Sequence, residues 1–291
     1  MEHTFVGIHI PKCAGTAMLD RVRSCLPSDQ IFQNTSVYRN YREQKQDFLY
    51  IREKERLRFV WGHLIHEEML KFFGTNAILV TGLRDPIERF KSELNYAARL
   101  ANHLSNSRPD IEAIIKKTRN PICWFLIRRF PTIAGEAGSP ADRAMNVIDA
   151  CHYVYFSENF DDTAGAIFKA MGINPKPLRS NVAPDRKSEV FDIDVKRFTY
   201  DIELYERARQ KFSDMSPEKA FSRASPGLTK LLSTPLNEKV LRDFLYDTAF
   251  YEYKNWNVLT QVLAYKKSQV DELNYEIDCY EKMRSRQRQT D

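Results

Sequence analysis

A chain of 291 residues, 43% hydrophobic and 12% aromatic with only 10 Gly and 13 Pro, is neither collagen-like, low-complexity nor wholly disordered, and it is long enough to bury a sizeable core. The 44 Lys and Arg against 39 Asp and Glu leave a net charge of +5. That surplus is too small for a nucleic-acid binder and is compatible with one basic pocket for a small anion. The five cysteines (Cys13, Cys25, Cys123, Cys151 and Cys279) are scattered and form no C-x-x-C pair. They argue against a disulfide framework or a structural zinc site and for a reducing compartment. Neither a basic-then-apolar leader nor an uninterrupted apolar run of about 18 residues occurs, so the expectation is a soluble, cytoplasmic protein with no membrane insertion.

Residues 4–10 read as a short buried strand running directly into Pro11-Lys12-Cys13-Ala14-Gly15-Thr16, after which residues 17–22 are helical in pattern. Residues 28–58 are rich in charge and are expected to form surface helix and loop. Strands are predicted at 59–64, 77–83 and 153–156, with a helix from Pro86 to about Asn102 and another from Asp161-Asp162 to near Gly172. Residues 172–190 read as loop. Strands alternating with helices predict an α/β fold with a central, largely parallel sheet flanked by helices. Residues 1–215 form this domain, and 216–291 a helical C-terminal extension. In the extension Trp256, Leu259, Leu263, Val270, Leu273, Ile277 and Tyr280 make a heptad-like seam. Such a helix either packs back onto the domain or pairs two copies as a homodimer.

The first turn carries chemistry. A strand delivers the chain to a helix whose leading N–H groups point outward, and these donors together with the helix dipole favour an oxyanion. Gly15 allows close approach to the backbone, Thr16 adds a hydroxyl, and Lys12 adds a mobile positive charge. The Walker pattern G-x-x-x-x-G-K-[ST] is absent, and an ordinary strand–helix turn with a surface lysine fits this segment as well. A second element, Leu83-Arg84-Asp85-Pro86-Ile87-Glu88-Arg89-Phe90-Lys91-Ser92, puts an arginine at a strand's carboxyl end and a serine two helical turns on. Ligands bind at that edge of parallel sheets. Arg84 offers a planar fork for a phosphate with Ser92 below it, whereas an Asp85–Arg89 pair with an exposed serine is the plainer reading.

Together these two motifs resemble the PAPS-dependent sulfotransferases, in the branch of carbohydrate 2-O-sulfotransferases and related bacterial enzymes. That branch commonly shows H-I-P-K-T-G-G-T-S, from which Cys13, Ala14 and Ala17 depart. The similarity extends through Phe156-Ser157-Glu158-Asn159-Phe160 and Leu178-Arg179-Ser180-Asn181, over about residues 4–212. It implies a P-loop-like sulfotransferase fold binding 3′-phosphoadenosine 5′-phosphosulfate (PAPS), with no metal. By the same resemblance Lys12, Cys13, Ala14, Gly15, Thr16 and Ala17 hold the 5′-phosphosulfate. Arg84 and Ser92 hold the 3′-phosphate, and Ser180 and Asn181 close over the nucleotide.

Transfer of a sulfuryl group to a hydroxyl or amine needs a base and a stabilised leaving phosphate. An unperturbed histidine titrates at about 6.5 and suits the first task. His63 follows Gly62 at the end of a predicted strand, where similar enzymes carry a Gly-His before Arg-Asp-Pro, so His63 is the expected base and Lys12 the expected leaving-group stabiliser. His63-x-x-His66 beside Glu67 and Glu68 lacks a third metal ligand, and the two acids read as helix-start polarity. His9 precedes the loop and helps position it, and His152 reads as structural. Cys13, at a helix N-terminus, is expected to have a lowered thiol pKa. The segment 124–130 reads either as core or as acceptor-shaping surface. The acceptor is expected to be a small metabolite, natural product or sugar. The rival functions are a nucleotide-dependent phosphotransferase and a non-catalytic nucleotide-binding module.

Overall fold

A computed structural model of the chain describes residues 3–34, 57–103, 110–176, 191–212 and 225–241, with side chains described except at 34 and 99–103. Five parallel strands form one sheet: β1 (Thr4–Ile8), β2 (Ile31–Asn34), β3 (Phe59–Gly62), β4 (Ala77–Leu83) and β5 (Tyr153–Phe156), in the order β2-β3-β1-β4-β5. The expected α/β class holds, with one strand more than the sequence pattern indicates. Strand β2 lies in the stretch expected to be surface helix and loop, where four residues pair with β3 along the sheet edge.

The period-2 alternation of the strands sorts the core into two layers. Phe5, Phe59, Trp61, Ile78, Val80, Tyr153 and Tyr155 face α1 (Gly15–Arg23) and a later helix, Phe160–Ala170, through Met18, Leu19, Val22, Ile167 and Phe168. Val6, Ile8, Val60, Leu79, Val154 and Phe156 face the other way. Two glycines make the first layer fit: a Cβ on Gly7 would stand 1.8 Å from the Trp61 ring, and one on Gly82 would stand 2.1 Å from that of Tyr155. Each glycine is the register partner of the aromatic residue lying across it.

Among the described residues the further α-helices, in chain order, are α2 (Glu67–Leu70), α3 (Pro86–His103), α4 (Ile111–Lys117), α5 (Pro121–Arg129), α6 (Pro131–Ala134), α7 (Pro140–Ala150), α8 (Phe160–Ala170), α9 (Thr199–Phe212) and α10 (Pro226–Leu232). Pro86 opens α3 at its first turn, and the Asp85 carboxylate accepts the N–H groups of Ile87 and Glu88 at 3.0 and 2.9 Å. Beyond residue 215, Leu228, Leu231 and Leu241 belong to the same buried cluster as the second sheet face. Asn237 N–H donates to Glu68, and Lys71 reaches the Pro235 carbonyl. This described part of the extension is therefore continuous with the domain core, while the seam at 256–280 lies outside the described residues.

Helices α5 and α9 cap each other. Asn120, in left-handed backbone at the start of α5, accepts the N–H groups of Tyr200 and Asp201 through its side-chain oxygen. The Asp201 carboxylate in return accepts Ile122 N–H at 3.0 Å and Cys123 N–H at 2.8 Å. Asp201 is fully buried, so truncating it strands two buried donors. Asp201→Ala is expected to cost about 2–6 kcal/mol, the sum of two such losses, seen as a lower urea midpoint at unchanged m-value. A midpoint within error of the wild type would show that water replaces the carboxylate.

Candidate functional site

The carboxyl ends of β3, β1 and β4 lie side by side, and each delivers one of the expected residues: His63, the Lys12–Ala17 loop and Arg84. The chain winds outward in opposite directions from β1 and β4, so the crevice between their ends is a topological switch point, where open α/β sheets take ligands.

The loop after β1 turns by placing two non-glycine residues in left-handed backbone, Lys12 at φ 67° and Ala14 at φ 53°. Ala14 is the N-cap of α1 and makes no side-chain cap bond, and the first turn carries no acid. The leading N–H groups of α1 therefore meet no capping side chain of their own helix, as an anion seat requires. Three contacts hold this turn. Arg89 of α3 donates to the Pro11 carbonyl at 3.1 Å, and the Cys13 thiol lies 3.8 Å from the same oxygen. Tyr155 passes over Gly82 and donates its hydroxyl to the Cys13 carbonyl at 2.9 Å.

Lys12 places its ammonium 3.4 Å from the centroid of the Tyr96 ring on α3. Ser92 stands one turn before Tyr96 on the same helix face, and Arg89 three residues before Ser92. Helix α3 thus brings Ser92 toward the loop and its lysine. Arg84 is half-buried and leaves β4 through a clamped turn: Ser157 Oγ donates to the Leu83 carbonyl at 3.1 Å, and Asp85 N–H donates to Glu158 at 2.7 Å. The segment after β5 thereby fixes the backbone on both sides of Arg84. Ser180 and Asn181 lie outside the described residues.

His63 is half-buried and held twice. Its Nδ1 lies 2.9 Å from the His9 carbonyl, and its own carbonyl accepts Arg129 Nε–H at 2.9 Å. A carbonyl only accepts, so Nδ1 carries a proton, which leaves Nε2 as the nitrogen that bears the lone pair whenever the ring is neutral. Arg129 also stacks on Phe125, 3.8 Å from the ring centroid, at the end of α5 nearest His63.

Several expectations change. The missing side chain at Gly15 also makes room within the protein: a Cβ there would fall 1.8 Å from Nε2 of His9, so the glycine accommodates the His9 imidazole. The Cys13 thiol is not activated. Burial pushes it up to about 12 against the opposing pull of Arg89 and Arg84, and it belongs to the hydrophobic core. Arg89 pairs with Glu93 at 2.6 Å rather than with Asp85, which is occupied in capping α3. His66 caps α2, its Nδ1 accepting Glu68 N–H at 3.2 Å. Glu67 and Glu68 stand in the first turn of α2 as expected and are also buried ties: Glu67 accepts both the N–H and the hydroxyl of Thr132, and Glu68 grips Lys71 and Asn237. His152 is structural as expected, with Nδ1 accepting Leu79 N–H at 3.0 Å.

Arg129, Tyr155 and Tyr96 were not singled out for these roles in the sequence. Tyr96 alone leaves a trace there, four residues beyond Ser92. Among the described residues no group of three or more His, Cys, Asp or Glu could hold a metal ion, and no helix is long and apolar enough to cross a membrane. No protein-family model and no curated protein matches the chain. The described residues form an open, all-parallel α/β fold that places the Lys12–Ala17 loop and a histidine tied to the His9 carbonyl at adjacent strand ends.

Burial holds two of these imidazoles neutral. His9, also pressed by His63 and Lys12, is lowered to about 2, and His66, also pressed by Arg129 and Lys71, to about 3. The unfolded chain takes up protons on these rings near pH 6.5 and the folded one does not, so stability is full above that pH and falls as pH drops toward 3. The loss is up to about 1.4 kcal/mol per pH unit for each ring. The carboxyls of Glu67 and Asp201, raised by burial, act with the opposite sign, so the contribution is isolated by a variant. His66→Asn, which keeps a cap acceptor, should lose less stability than the wild type between pH 7.5 and 5.5 in urea titrations, and equal slopes would contradict a neutral His66.

Proposed function

We propose that the protein transfers a sulfuryl group from PAPS to a hydroxyl or amine of a small metabolite, natural product or sugar. The observation that carries this reading is the convergence of the β1 loop, His63 and Arg84 on one sheet edge, with the His63 tautomer fixed by the His9 carbonyl. The two motifs resembling PAPS-dependent sulfotransferases supply the donor, and the geometry is compatible with their roles.

In this reading Lys12, Cys13, Ala14, Gly15, Thr16 and Ala17 seat the 5′-phosphosulfate through backbone N–H groups, the Thr16 hydroxyl and the Lys12 ammonium. Arg84 and Ser92 select the 3′-phosphate, with Ser180 and Asn181 closing over the nucleotide. His63 Nε2 takes the proton of the acceptor as its oxygen or nitrogen attacks sulfur. The bond from sulfur to the bridging oxygen breaks, and its electron pair remains on the 5′-phosphate, where Lys12 and the α1 N–H groups meet the growing charge. Lys12 leaves the Tyr96 face to do so. A cation on an exposed ring is held by only about 0.5–1 kcal/mol, and a phosphate outbids it. No step requires a metal. A cytoplasmic location and a homodimer through the C-terminal helix belong to the same reading.

Calorimetry with 3′,5′-bisphosphoadenosine against ATP, followed by transfer assays with radiolabelled PAPS on an acceptor panel, tests it. Tight binding of the bisphosphate, its loss by at least tenfold in Arg84→Ala, and retained binding without transfer in His63→Ala are expected. Tight binding of ATP alone would point to a phosphotransferase. Binding of the bisphosphate without turnover on any acceptor would point to a non-catalytic module.

A further inference from the structure

Between the anion loop and His63 stands a residue that neither the anion contacts nor the proton transfer uses. The His9 ring is stacked on the His63 ring with centroids 4.0 Å apart and planes 22° from parallel. It also lies 5.2 Å from the Trp61 ring at 27°. Its Nε2 edge rests on Gly15, the first residue of α1. Its carbonyl accepts the Nδ1–H of His63. One residue therefore meets the histidine twice and the anion-seating helix once. Its Nδ1 is buried and finds no hydrogen-bond partner among the described residues. The ring is thus held by stacking and packing and not by a hydrogen bond at Nδ1.

We infer that His9 is the positioning residue of His63, an uncharged plate that registers the plane of the His63 ring against the first turn of α1. The catalytic consequence rests on the sulfuryl-transfer reading, but the geometry does not. The charged and titratable groups about the plate are His63 from the β3 end and Lys12 from the loop, with Trp61 and Gly15 closing its other sides. With the plate neutral, an imidazolium forming on His63 meets an aromatic face and not a like charge. Because a hydrogen bond alone leaves the ring free to tilt about the Nδ1–carbonyl axis, the stack supplies the remaining constraint. Displacements of about 1 Å at a reacting group cost on the order of a hundredfold in rate.

The experiment compares wild type, His9→Phe, which keeps a plate, and His9→Ala, which removes it but retains the carbonyl. Long-range proton–nitrogen NMR of the His63 ring reports tautomer and pKa without any substrate. Wild type and His9→Phe should show a single Nδ1–H tautomer, and His9→Ala a mixture with a displaced pKa. Gly15→Ala approaches from the other side, pressing a methyl into the plate, and should move the same His63 signals even if His9→Ala fails to fold. In turnover, His9→Ala should lose about tenfold to a hundredfold in kcat, with the KM for PAPS changed less than threefold. His9→Phe should recover most of that loss and keep the wild-type pH profile. Unchanged His63 signals in both His9→Ala and Gly15→Ala would overturn the inference, as would equal impairment of His9→Phe and His9→Ala. Absence of sulfuryl transfer in the wild type would reject the functional reading alone, since the NMR comparison still decides the role of His9.

Discussion

Two carbonyl groups of one tight turn, those of Pro11 and Cys13, carry the architecture of the site. Arg89 grips the first from α3 and Tyr155 grips the second from β5, reaching across a strand that has no side chain in the way. A shift of the turn would break the part-buried Arg89 bond or the buried Tyr155 bond, each worth about 0.5–1.5 kcal/mol net. A backbone fixed in this way presents its N–H groups at the helix start in one direction. Under the proposed function, that fixed backbone would meet the condition for electrostatic preorganisation.

The same economy of connection recurs around the site. The turn bearing Arg84 is pinned by Ser157 and Glu158, and the turn bearing His63 by Arg129. Arg129 in turn depends on α5, whose first N–H groups are satisfied by Asp201 of α9. Each functional loop is thus secured by a side chain from a different helix or strand, and the mutual capping of α5 and α9 stabilises the element on which His63 leans. Buried carboxylates do much of this joining, with Glu67 and Glu68 tying α2 to α6 and to the chain near residue 237.

Much of this was readable from residue order. Strands β1, β3, β4 and β5 announce themselves by apolar runs ending in Gly, Pro or a charged turn, and Pro86 with Asp85 marks the start of α3. The placement of Lys12, His63 and Arg84 on one edge follows from parallel strands alone. Strand β2 escaped because Ile31 and Phe32 are only two apolar residues in a polar stretch, and its identity lies in pairing with β3. Partner choice by long side chains was equally hidden: Arg89 had Asp85, Glu93 and a distant carbonyl within conceivable reach, and only the tertiary fold selects the last two. Cys13 misled because a helix N-terminus lowers a thiol pKa in water-accessible sites, whereas here desolvation wins. The packing of Gly15 against a histidine six residues back was hidden because only the tertiary fold brings the two together.

The backbone of Lys12 has a further implication. At φ 67° a lysine pays the steric penalty of a β-carbon that glycine lacks, of order 1–2 kcal/mol in that region of conformational space. Lys12→Gly would relieve that penalty while keeping the hydrogen bonds to the Pro11 and Cys13 carbonyls. Where Lys12 serves as the proposed leaving-group stabiliser, its ammonium is a locus at which activity and durability pull apart. Random libraries screened only for heat resistance should discard the ammonium there first.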